Sequence, residues 1–109
     1  FHIHVMFATN KLINSNPDAT KKFLKCWFDG LDYMKSHKSE SVKIASETLN
    51  MSLELSGKLY DSLMPHFNYS GKFDPQAIEV ISQSLVDTGI LPSKQNLSKY
   101  YTEEFLPKR

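Results

Sequence analysis

The chain has one cysteine, Cys26, in 109 residues, which excludes an internal disulfide framework and a cysteine-based metal cluster. Its four glycines form no phosphate-cradling loop, and no serine sits in a Gly-x-Ser-x-Gly elbow. No apolar run reaches the roughly 20 residues that a membrane-spanning helix needs. No segment has the layout of a signal peptide, and export stays open because the N-terminus reads as an internal cut. Charge is nearly balanced at net +1, and basic residues run no longer than pairs such as Lys21-Lys22. No field of one sign therefore points to nucleic acid or anionic lipid, and no nucleic-acid partner is expected. What is present, 40% hydrophobic and 23% charged residues, is the composition of one globular domain with a modest core.

The first ten residues alternate. Phe1, Ile3, Val5 and Phe7 fall on one side of an extended chain, and His2, His4, Met6 and Ala8 on the other. This pattern predicts a strand over Phe1–Asn10. A strand cannot satisfy its backbone groups alone, so it requires a partner that the chain does not contain. Everything after it reads as helix. Asn16-Pro17-Asp18 is a cap, a first-turn proline and an acid at the positive end of a helix dipole. Phe23, Trp27, Leu31 and Met34 follow as an apolar stripe widened by Leu24 and Phe28, ending near Ser36-His37-Lys38. Gly30 is a cost inside that helix, tolerable where another element crosses closely.

A second helix is predicted from about Ser39, with Val42, Ala45 and Leu49 on one face and Asn50 as a left-handed cap. Ser52 caps a third, carrying Leu55, Leu59 and Leu63 until Pro65 stops it. An aromatic loop over residues 66–73 leads to Asp74-Pro75. A fourth helix then carries Ile78, Ile81 and Leu85 to Gly89. Leu97 before Ser98 suggests a short fifth helix through Tyr100 and Tyr101. The expected fold is mainly α, a bundle of four to five helices with one short N-terminal strand, forming a single domain over residues 1–109.

His2-x-His4 is the constellation with chemical character. Residues two apart on a strand share a face, so both imidazoles could meet one metal ion or line one polar cleft. A metal site needs a further ligand, and neither His37, His66 nor any acid stands at a diagnostic spacing. Cys26, beside Trp27 and Phe28, reads as a buried and inert thiol. Asp29 with Asp32, and Glu103 with Glu104, are carboxylate pairs, but they read as solvent-facing. Phe67, Tyr69, Phe73, Tyr100, Tyr101 and Phe105 read as core plugs rather than a groove. No catalytic set assembles, so no enzyme activity and no cofactor are expected.

The ordered pattern resembles a family. The run Val5-Met6-Phe7-Ala8-Thr9-Asn10-Lys11-Leu12-Ile13, followed by Asn16-Pro17-Asp18, is similar to the last cleft-crossing strand and following helix of ABC-transporter solute-binding proteins. The branch is the nitrate, sulfonate, taurine and thiamine-pyrimidine-precursor group. Leu31-Asp32-Tyr33-Met34, Met51-Ser52-Leu53-Glu54-Leu55, Gly71-Lys72-Phe73-Asp74-Pro75 and Gly89-Ile90-Leu91 resemble later pieces in the same order. So do Leu97-Ser98-Lys99-Tyr100-Tyr101 and Phe105-Leu106-Pro107.

The resemblance implies the C-terminal portion of a two-lobed α/β protein of the type II periplasmic-binding fold. Such a protein binds a small organic or oxyanionic solute by closure of two lobes about a hinge. It would be extracytoplasmic, with the ABC permease subunits as membrane partners, and its ligand-binding candidates here are His2 and His4. A homodimer through the exposed strand edge is a further expectation. Two rivals stand beside this reading. One is a free-standing helical interaction module using Trp27, Phe28 and the aromatic loop. The other is a small metal-dependent enzyme centred on His2 and His4.

Overall fold

Capping side chains set where most of the helices begin. A computed structural model of the chain describes residues 4–108. Among them are five α-helices: α1 (Asn10–Ser15), α2 (Pro17–Ser36), α3 (Lys38–Leu49), α4 (Leu53–Leu63) and α5 (Pro75–Asp87). Two 3-10 turns, Met64–His66 and Leu97–Tyr100, complete the regular structure. Asn16 Oδ1 accepts from the Ala19 amide at 3.1 Å, Ser52 Oγ from Leu55 at 3.1 Å, and Asp74 Oδ1 from Gln76 at 2.9 Å. These are the positions at which side-chain oxygens satisfy orphan amides of a first turn. Asn50 closes α3 in the left-handed region at φ 51°. Gly89, at φ 73°, closes α5, with its amide donating to Val86 O and the Leu91 amide to Leu85 O.

The mainly helical expectation holds, with two corrections. No strand occurs among the described residues: 4–9 carry no regular structure, and Asn10 opens a helix. Phe1, His2 and Ile3, on which the strand reading also rested, lie outside the described residues. The physical reason is the missing ladder. Val5 is 56% exposed and Phe7 94%, and alternation without a partner leaves backbone groups that water satisfies as well. Thr9 takes the chain another way, its Oγ1 accepting from the Leu12 amide at 3.1 Å to cap α1. A dimer through the N-terminal strand thus has no strand to rest on among these residues. The second correction is at the far end, where the expected fifth helix is a 3-10 turn capped by Asn96 rather than stapled by Leu97.

The described residues form two compact units, and the boundary falls within α2. One holds residues up to Lys22 together with those from Gly71 onward; the other is Phe23–Ser70. In the second unit α3 packs against α4, and their buried positions are Ser41 and Ser56. Tyr60 donates its hydroxyl to the Met34 carbonyl, and Lys38 pairs with Asp61 at 2.6 Å. Leu49, Leu55 and Leu63, predicted as core, are about half exposed. On α2 the buried residues are Phe28 and Leu31, whereas Phe23 is 62% and Trp27 44% exposed. The buried arc is thus turned from the predicted stripe, and Cys26 is exposed rather than buried.

In the first unit Ala77, Ser82 and Phe105 are buried. Phe73 and Tyr101 pack with ring centroids 4.5 Å apart, and Glu103 accepts from the Phe73 amide at 2.7 Å. Both cores are thin. The chain exposes 8538 Å², against about 7400 Å² for two separate compact bodies of the units' masses.

Candidate functional site

His4 is exposed in the segment before α1, and His2 lies outside the described residues. The pairing of His2 with His4 therefore lies outside the described residues. Among the described residues no group of three or more His, Cys, Asp or Glu side chains could hold a metal ion. The other histidines are elsewhere. His66 is exposed in the 3-10 turn after α4. His37 sits at the start of α3 with its ring stacked on Tyr33 at 4.1 Å. Its Nδ1 lies 3.1 Å from the Tyr33 carbonyl. The Ser36 hydroxyl lies 2.8 Å from the same nitrogen.

The carboxylate pairs separate into local roles. Asp29 pairs with Lys25 at 2.6 Å, one turn apart on an exposed stretch of α2. Hydrogen bonding to Asp29, reinforced by its charge, raises the Lys25 ammonium above its ordinary value. Glu103 accepts from the Phe73 amide, and the Glu104 amide donates to Thr102 Oγ1 at 3.2 Å. Neither pair lies in a cleft that would tune one carboxyl against the other.

The aromatic residues divide between the units. Phe73, Tyr101 and Phe105 belong to the first, and Phe105 is buried, as a core plug should be. Tyr69 in the second donates to Met64 O at 2.9 Å, and Lys35 lies 4.9 Å from its ring centroid. Tyr100, 71% exposed, plugs no core. Each unit carries one shallow hollow of note. A hollow of about 390 Å³ is lined by Ser39, Lys43, Ser46, Glu47 and Leu53. A second, of about 250 Å³, lies over Ser82 among Ile78, Glu79, Gln95 and Tyr101, where Lys94 neutralises Glu79. Neither collects a nucleophile with a base, or an anion cradle.

Phe23 and Trp27 of the predicted α2 stripe lie instead on an exposed stretch of that helix. Phe23, Trp27 and Tyr33 are exposed there beside Cys26 and Gly30. A glycine in mid-helix was the available signal, since it marks a place that avoids side-chain bulk. No described helix is long and apolar enough to cross a membrane. No protein family, curated protein sequence or solved structure was found to match this chain.

Proposed function

We propose that this chain is the C-terminal portion of an extracytoplasmic solute-binding protein of an ABC importer. In the intact protein its helices would scaffold part of one lobe of a two-lobed α/β fold. The solute would be small and organic or oxyanionic, of the sulfonate, nitrate or thiamine-precursor type, and the membrane partner would be the permease. The observation that carries this reading is the excess of exposed surface. Val5, Phe7, Leu12, Leu49, Leu55 and Ile90 are all exposed, spread over both units. Helices that leave such residues in water suit a layer that covers further structure. The segments on which the resemblance is drawn include the starts of α2 and α5 at Asn16-Pro17-Asp18 and Asp74-Pro75, and the turn at Gly89 that closes α5. His4 is kept as a candidate solute contact, with His2 beside it in sequence.

The test is the natural gene product that carries this sequence. Its upstream reading frame is expected to encode a secretory or lipoprotein signal and then alternating strands and helices. The complete protein is expected to bind an alkanesulfonate, nitrate or a thiamine pyrimidine precursor in calorimetry. An open reading frame that starts near Phe1 would overturn the proposal.

A second reading, a free-standing helical interaction module, is favoured by one observation. Trp27 is 44% exposed, and Phe23 beside it 62%. Phe28, which that reading also used, is buried and drops out of the face. A cooperatively melting domain encoded with no preceding lobe would support this alternative.

A further inference from the structure

The exposed residues of α2 have a spacing that its buried residues lack. Phe23, Cys26, Gly30 and Tyr33 are separated by three, four and three positions. That is the alternation of a coiled-coil seam, which keeps one stripe of a helix facing a partner helix. Phe23 and Tyr33 are 62% and 44% exposed, Cys26 and Gly30 are exposed, and a Cβ added at Gly30 would meet nothing within 4 Å. Gly30 thus leaves an open notch on this stripe, as Gly57 does on α4, and here the notch lies between exposed aromatic residues.

The charges beside this stripe select the partner. Lys22 and Asp29 both flank it, each one position before a seam residue, Phe23 and Gly30. In an antiparallel pair of helices, flanks of this kind face the same flank of the partner. Asp29 is already held by Lys25 of its own helix at 2.6 Å, so Lys22 of one copy joins that carboxylate on the other, and the reverse contact follows by symmetry. A parallel pair would instead set this flank against the opposite one, occupied by Trp27 and Met34, and form no ion pair. The same arrangement is self-complementary, as a twofold interface must be.

We propose that the outer face of α2 is a docking surface for a second copy of this chain, joined antiparallel along Phe23, Cys26, Gly30 and Tyr33. This goes beyond the solute-binding proposal and does not depend on it. Two exposed aromatics and a glycine notch supply little area, so the dimer sits at the weak end of specific interfaces, which begin near 1,000 Å². It forms by mass action as concentration rises.

Sedimentation equilibrium of the whole chain, from micromolar to near-millimolar concentration, tests this. A monomer–dimer equilibrium is expected, and a short bismaleimide should link Cys26 to Cys26 in the dimer. Gly30→Gln keeps a good helix former at an open position, so circular dichroism should be unchanged while the dimer weakens by about tenfold or more. Lys22→Glu and Asp29→Lys should each weaken the dimer, and the double variant should recover it. A chain that stays monomeric throughout overturns the proposal. So does a dimer that ignores Gly30→Gln, or one in which the double variant is no better than the single ones.

Discussion

At the scale of single residues, two glycines predict opposite outcomes. Gly57 lies inside α4, and a Cβ added there meets nothing within 4 Å. Gly57→Ala should stabilise the chain by about 1 kcal/mol, because it removes unfolded-state freedom and improves helix propensity. Gly89 sits at φ 73°, where a side chain strains the backbone, so Gly89→Ala should cost about 1 kcal/mol. Urea midpoints of both variants check the pair. Ser56 is 1% exposed, and its hydroxyl has no hydrogen-bond partner. Ser56→Ala should therefore raise the melting temperature, by an amount corresponding to about 1 kcal/mol; a fall would show that the hydroxyl is engaged. Lys25 is held above its ordinary value by Asp29. A raised folded pKa gives stabilisation that is fully present below the unfolded value, about 10.4, and lost as pH rises through the folded one. The ammonium is fully exposed, so the effect on stability is small. An NMR titration of the Lys25 side chain should show the upward displacement in the native chain and its disappearance in Asp29→Asn.

At the scale of elements, legibility followed the locality of the physics. The bounds of α2, α3, α4 and α5 could be read because each start or stop depends on residues within one turn. Asn16, Ser52 and Asp74 accept from nearby amides, and Asn50 and Gly89 take left-handed closures. α1 was not legible. Its six residues have no strong apolar stripe, and the alternation before it masked Thr9 as a cap. The two caps predict different consequences. Thr9→Ala should abolish α1 with little effect on the rest, because so short a helix has only its cap and a single turn to hold it. Asn16→Ala should cost about 1 kcal/mol of stability, because α2 carries the buried Phe28 and Leu31. Hydrogen exchange at the α1 amides, read beside urea melts of both variants, separates the two effects.

At the scale of the whole molecule, surface dominates. With 8538 Å² exposed and few large side chains buried, the native chain has already given water much of what unfolding would expose. The urea m value should fall below that of a compact domain of the same length, since m follows newly exposed area. At micromolar concentration the native chain should also enhance the fluorescence of an apolar dye. A normal m value without dye binding would mean that the exposed residues are covered. Candidate sites were the least legible feature at this scale. A pair such as His2 and His4 gains meaning only from the element that carries both, and His2 lies outside the described residues.

The amino-acid sequence by itself determined the helical class, the ends of the four longer helices and the lack of a compact catalytic motif. These follow from capping, proline geometry and composition, which act over a few residues. Only the tertiary structure decided which side of each helix faces inward. Phe23, Trp27, Leu49, Leu55 and Leu63 are as apolar as the residues that are buried, yet they stay in contact with water while Ser41, Ser56 and Ser82 do not. Helical periodicity marks a candidate stripe. Which stripe is buried depends on how the helices pack against one another, which periodicity alone does not encode.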